Sequence, residues 1–189
     1  MILTLTGPSG VGKGYVSRGI HAMFPSLKQL VWITTRPLRP GEEANLDRRH
    51  VSPKEFAEHV ANGNAVLPRS LYDNRYAMIV PKGGFNEEIW LTELSTDNVV
   101  SAIDLGYEIY PIALIPSDLD FLRTRLERYR GTENQEEIEK RLALAREEIS
   151  WIAEHLFLFG QVIEISQTNE QRVLSEVGKI VRWILKEAS

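Results

Sequence analysis

The chain has 189 residues, 43% of them hydrophobic and 25% charged, enough for one globular domain with a full core and too few for a second independent one. Cysteine is absent, which excludes a disulfide framework and thiolate metal sites and fits a reducing compartment, with the cytoplasm as the expected location. A net charge of -4 argues against a nucleic-acid partner, and no apolar run approaches the roughly 18 residues of a membrane span, so a soluble protein without a membrane partner is expected.

In chain order, strands are expected over residues 2–6, 30–33, 89–94, 109–115 and 162–165, where short apolar runs stand between polar or turn-forming segments. Ser52-Pro53-Lys54-Glu55 is a capping box with proline in the first helical position. Ser117, Asp118 and Asp120 open the helical run "LDFLRTRLERY". Residues 132–155 carry Ile138, Leu142, Ala145, Ile149 and Ile152, and residues 169–186 carry Val173, Val177, Ile180, Val181 and Ile184, each set forming one apolar helical stripe. Strands alternating with helices predict an α/β domain of three layers around a largely parallel sheet. Residues 34–80 interrupt that rhythm with Arg, Pro, Gly and Asn, short strands around "AVLPRS" and "RYAMIV", and an Asp73-Asn74 turn, the composition of a small inserted lobe. Trp151, Ile152, Leu156, Phe159 and Trp183 read as core. The four histidines show no metal-like spacing, and His50 reads as structural.

Gly7-Pro8-Ser9-Gly10-Val11-Gly12-Lys13 fits G-x-x-x-x-G-K between a strand and a helix. Such a loop turns successive N–H groups inward, the helix N-terminus adds positive potential, and Lys13 supplies a cation for terminal phosphates. The strict motif has Ser or Thr after the lysine to help hold Mg2+, whereas this chain has Gly14 and then Tyr15, so the metal shell must differ. Arginine outnumbers lysine 15 to 7, and planar guanidinium groups suit paired hydrogen bonds to phosphate.

Three segments resemble the guanylate kinase family over most of the chain: "GPSGVGKG" at 7–14, "TTRPLRPGE" at 34–42 with Asp47 beyond it, and "RLERYRGTENQEEIEKRLALAREEI" at 125–149. The resemblance implies a P-loop kinase fold with core 1–33 and 81–189, an acceptor-binding lobe at about 34–80 and a lid at about 125–141. It also implies transfer of the ATP γ-phosphate to GMP with Mg2+. By motif position, residues 7–15 would hold the nucleotide, with Lys13 on its phosphates. Arg36, Arg39 and Tyr76 would hold the acceptor phosphate, and Arg125, Arg130 and Arg141 would neutralise the phosphate in transfer. Tyr129 is an extra residue in the lid segment, so positions there can slip by one. The competing reading of the lid arginines is weak surface pairing with Glu127, Glu133, Glu136 and Glu137.

The family's guanine-contact positions are occupied here by Trp32, Leu67, Met78 and Glu93, of which Glu93 alone keeps an acceptor. Arg48 replaces a tyrosine, and Leu91 replaces an aspartate expected near the metal. Trp32, Leu67 and Met78 either line a site for a different acceptor or are ordinary core, while Arg48 and Arg49 would add charge for a more heavily phosphorylated one. Three readings follow: a GMP kinase; the same chemistry on another phosphorylated acceptor such as ribose 1,5-bisphosphate or a modified nucleotide; and a non-catalytic binding module. The metal ligands and the oligomeric state are not read from the sequence.

Overall fold

The structure, a computed structural model, describes residues 1–38, 48–71, 73–85, 88–129 and 135–187, residue 129 by its backbone alone. Arg39, Asp47 and Arg130 therefore lie outside the described residues.

Five parallel strands form the central sheet: β1 (Ile2–Thr6), β2 (Lys28–Gln29), β7 (Trp90–Glu93), β8 (Ile109–Pro116) and β9 (Gln161–Ile165), in the order β2-β7-β1-β8-β9. The interior strands are buried on both faces because helices cover each side, which is why they read as unbroken apolar runs instead of alternating ones. One face packs under α1 (Lys13–Met23), α4 (Leu119–Tyr129), α5 (Gln135–Glu154) and α6 (Glu170–Glu187), whose Ile20, Leu122, Leu142 and Val177 join Leu3, Leu5 and Ile112. The α5 and α6 stripes are placed as their periodicity predicts, with Ile138, Leu142, Ala145 and Ile152 buried on α5 and Val173, Val177, Val181 and Ile184 on α6. The first turn of α4 is capped by Asp118, whose Oδ1 accepts from the Phe121 amide at 2.6 Å. That bond holds the Asp118 carboxyl below its ordinary pKa.

A second sheet, in the order β4-β3-β6-β5, consists of β3 (Trp32–Thr34), β4 (Arg48–His50), β5 (Ala65–Leu71) and β6 (Asn74–Ile79). Helix α2 (Pro53–Ala61) closes one side of it, its capping box intact: Ser52 Oγ accepts from the Glu55 amide at 3.2 Å and Glu55 Oε2 from the Ser52 amide at 2.8 Å. On that side Ile33, Val51, Phe56, Ala65 and Ala77 make a small lobe core. On the other, Trp32, Leu67 and Met78 meet Ile2, Leu30, Leu94 and the face of α3 (Thr96–Asp104) in a junction core between lobe and central sheet.

The strand expected at 30–33 is divided. The central sheet takes β2 at Lys28–Gln29, and Leu30 still donates its amide to the Leu91 carbonyl at 2.9 Å. Trp32 and Ile33 then pair with β4 and β6 of the lobe. No turn residue marks the crossing, because the apolar run is buried on both sides of it. Two residues read as core are exposed: Leu156, in the 3-10 turn Leu156–Leu158, and Trp183, on the outer side of α6 with its ring 6.2 Å from that of Tyr110.

Candidate functional site

Between the glycine loop, the lobe and α5 lies an open cleft of about 630 Å³. Its loop end is built by backbone. Gly7, Gly10 and Gly12 have φ of 140°, 90° and 120°, the left-handed side of the map that favours glycine. A Cβ on Gly7 would stand 2.1 Å from the Leu114 carbonyl oxygen of the interior strand β8, so the loop is pressed against the sheet with no room for any other residue. Helix α1 follows at once, with Gly12 as an N-cap that makes no side-chain hydrogen bond, and its first turn adds positive potential at the loop. Lys13 Nζ lies over the loop and donates to the carbonyls of Gly7 at 2.6 Å and Pro8 at 3.1 Å.

Of the nine loop residues, Gly7, Ser9, Gly10, Gly12, Lys13, Gly14 and Tyr15 line the cleft. Val11 is fully buried in the main core, and the Pro8 carbonyl also accepts from the Val11 amide at 3.2 Å. Tyr15 packs partly on that core and its hydroxyl accepts from Gln171 Nε2 at 3.0 Å, so it fastens α1 to α6 at the rim.

Helices α4 and α5 bring Arg125 and Arg141 to the loop end of the cleft. Arg125, on α4, pairs with Glu170 at the start of α6 and has its guanidinium 5.4 Å from the Phe121 ring. Arg141, on α5, approaches Ser9 Oγ at 3.4 Å. Both line the cleft, whereas Lys140 is paired with Glu136 on the exposed side of α5.

The lobe end is built by side chains. Arg36, only 7% exposed, follows β3; it donates to the Pro37 carbonyl at 2.7 Å, and its own carbonyl accepts from His50 Nδ1 at 2.8 Å. His50 thus has the structural role expected of it. Arg48 Nη2 stands 4.0 Å from Glu93 at the end of β7, and its guanidinium lies 5.7 Å from the Tyr76 ring, so one side chain spans lobe and core. Arg36, Arg48, Tyr76 and Glu93 all line the cleft.

Trp32, Leu67 and Met78 are 5%, 3% and 1% exposed and belong to the junction core. Trp32 Nε1 donates to the buried Thr92 hydroxyl at 2.8 Å, which fixes the indole and leaves its edge in the cleft wall. Leu91 is fully buried in the main core.

Several cleft residues were not anticipated from the sequence, Arg18 and Glu170 among them. Arg69 on β5 and Glu148 on α5 face the cleft, as do Ser95 and Asn98 at the start of α3. Glu148 follows Arg141 by two helical turns on the same face, a spacing that marks it in hindsight. Burial pushes the Glu148 carboxyl pKa up, while the positive charges of Lys13 and Arg69 pull it back.

The arrangement can hold two anions end to end. Lys13, Arg125 and Arg141 line one end with the glycine loop, and Arg36, Arg48 and Tyr76 line the other. Among the described residues no three His, Asp or Glu gather as a metal cage. The cleft does fit a cation held by one carboxylate and phosphate oxygens, the usual Mg2+ arrangement. Glu93, Glu148 and Glu170 are the carboxylates that line it, and Glu93 Oε1 is 3.7 Å from where a Gly14 Cβ would be.

No family model matches the sequence. The chain is 35% identical over 164 residues to the guanylate kinase of Symbiobacterium thermophilum, covering 82% of this chain and 74% of that one. It is 30% identical over 190 residues to the guanylate kinase of Clostridioides difficile, covering 97% and 91%. To the guanylate kinase of Gloeobacter violaceus it is 37% identical over 158 residues, covering 79% and 74%. The crystal structure of guanylate kinase from Anaplasma phagocytophilum superposes with a TM-score of 0.72 over 96% of this chain and 84% of that one at 20% identity, a likeness of fold.

Proposed function

This chain belongs to the guanylate kinase family, and from that premise we infer that it is an ATP-dependent nucleoside monophosphate kinase acting on GMP, yielding GDP and ADP. Neither another phosphorylated acceptor nor a non-catalytic role is favoured by these relatives. The observation that carries the reading is the single cleft joining a glycine-forced amide loop under Lys13 to the buried Arg36 of the lobe.

In this reading the loop amides and Lys13 grip the ATP phosphates, and Arg36, Arg39 and Tyr76 seat the acceptor phosphate, with Arg48 beside them. Two anions must be brought together against their repulsion, so alignment and positive charge are the protein's main contribution. Arg125, Arg141 and Arg130 stabilise charge on the phosphoryl group in transfer. The acceptor phosphate oxygen attacks directly, so no protein nucleophile is required. Glu93 would help hold Mg2+, which would supply positive charge to the phosphate oxygens. We assign the acceptor lobe to about residues 34–80 and the lid to about 125–141, the two parts that close to exclude water.

Among the described residues no helix is long and apolar enough to cross a membrane. With the acidic net charge and the absence of cysteine, this supports a cytoplasmic enzyme whose partners are small phosphorylated molecules. A coupled ADP-release assay over a panel of nucleoside monophosphates tests the reading. GMP is expected to turn over fastest, and no turnover with any of them would remove it.

A further inference from the structure

The lobe sheet contains one interruption, and it decides where an arginine points. In β5 the register with β6 runs Ala65 with Ile79 and Val66 with Met78, then shifts, resuming at Arg69 opposite Tyr76. The residue at the shift, Leu67, has a φ of 54°, a left-handed backbone that a leucine adopts only under constraint.

In a regular strand Ala65 and Leu67 would share a face. Here Ala65 packs in the lobe core with Ile33 and Phe56, whereas Leu67 packs in the junction core with Trp32 and Met78, on the opposite side. The bulge has therefore reversed the alternation, as an extra residue in one strand must. Without it Arg69 would join the α2 side of the sheet. With it, Arg69 lies on the face of Tyr76 and lines the cleft.

Arg69 thereby completes a cluster. Thr34, Tyr76 and Arg69 stand in one rank across three strands, Arg36 follows Thr34 by two residues, and the Arg48 guanidinium lies over the Tyr76 ring. Among the described residues Arg69 makes no hydrogen bond or ion pair within 4.0 Å. Glu148, across the cleft, feels its charge at longer range. A planar group of five donors, brought to the anion end of a cleft by a strained backbone, suits a phosphate monoester's peripheral oxygens.

We propose that Arg69 is an acceptor-phosphate residue, a guanidinium added to Arg36 and Arg48 and aimed by the Leu67 bulge, so that acceptor binding is concentrated on the phosphate and not on the base. The proposal rests on the reading of the cleft as an acceptor-phosphate site.

The test is steady-state kinetics of wild type, Arg69→Met, Arg69→Lys and Glu148→Gln, with GMP and with the next-best acceptor of the panel. Arg69→Met is expected to raise the acceptor KM roughly 10- to 100-fold, the loss typical of a charged hydrogen bond, with the ATP KM unchanged. The loss should be equal for both acceptors, and Arg69→Lys should recover part of it. An unchanged acceptor KM would overturn the proposal. So would a loss confined to one base, which would make Arg69 a base reader, or a Glu148→Gln variant reproducing the Arg69→Met defect, which would make Arg69 a partner of Glu148. If wild type turns over no monophosphate, the functional reading fails instead. Titration of GMP into wild type and Arg69→Met by calorimetry then still reads the site directly: weaker binding to the variant upholds the role of Arg69, and equal binding overturns it.

Discussion

The two ends of the cleft are made in different ways. The loop end, the donor end of the proposed reaction, is a glycine loop held against the central sheet and flanked by Arg125 and Arg141; the lobe end, its acceptor end, gathers Arg36, Arg48, Arg69 and Tyr76 from separate strands of a small sheet and the loop after β3. A loop of amides has little freedom once its backbone is fixed, so its function is carried by conformation. A cluster of long side chains depends on strand register, and one inserted residue can redirect a member of it. The donor end should therefore fail through geometry and the acceptor end through individual charges.

The sharpest way to break this contrast is Gly7→Ala. Its Cβ would meet the Leu114 carbonyl at 2.1 Å, and neither β8 nor the loop can retreat. We expect ATP binding to weaken at least about 100-fold and stability to fall by about 3 kcal/mol, a Tm loss of roughly 6 to 12 °C. Calorimetry with ATP and a thermal scan read both, and ATP affinity within a factor of about two of wild type would show that the glycine does not shape the donor end.

Trp32→Phe probes the hinge between the ends. It removes the indole donor and strands the buried Thr92 hydroxyl, which should cost about 2 kcal/mol, or roughly 4 to 8 °C in Tm. ATP affinity should not change, since the indole supports the junction core and not the glycine loop. A parallel loss of ATP affinity would mean the two ends are not independent.

Glu148→Gln gives the smallest effect. This carboxyl faces Lys13 at one end and Arg69 at the other, and burial raises its pKa above the ordinary glutamate value. A raised folded-state pKa means its contribution to stability is present below the unfolded pKa and lost as pH rises through the folded one. The glutamine variant should match wild type in Tm at about pH 4 and exceed it at about pH 8. A variant less stable than wild type at the higher pH would show that the attraction of Lys13 and Arg69 outweighs burial.

Much of this was legible in the chain, unevenly. The five-strand alternation, the α5 and α6 stripes and the Ser52 capping box are local periodicities or local hydrogen bonds, so they follow from residues close in sequence. The glycine loop was legible for the same reason. Residues 30–33 were misread as one core strand because burial on both sides of a sheet crossing leaves no compositional mark. Leu156 and Trp183 were misread as core because apolar character does not tell which side of a helix or turn finds a neighbour. Arg69 was missed because alternation predicts the opposite face, and the Leu67 bulge that reverses it is set by pairing with β6.

By itself the sequence determined that a glycine loop ending in Lys13 follows the first strand, that arginine-rich segments come later in the chain, and that an α/β core supports them. The tertiary structure alone decided that Trp32, Leu67 and Met78 pack in the junction core and that Arg69 faces the cleft. The physical reason is range: backbone turns and helical faces are fixed by neighbours a few residues away, whereas burial and strand register are fixed by partners the chain brings in from elsewhere.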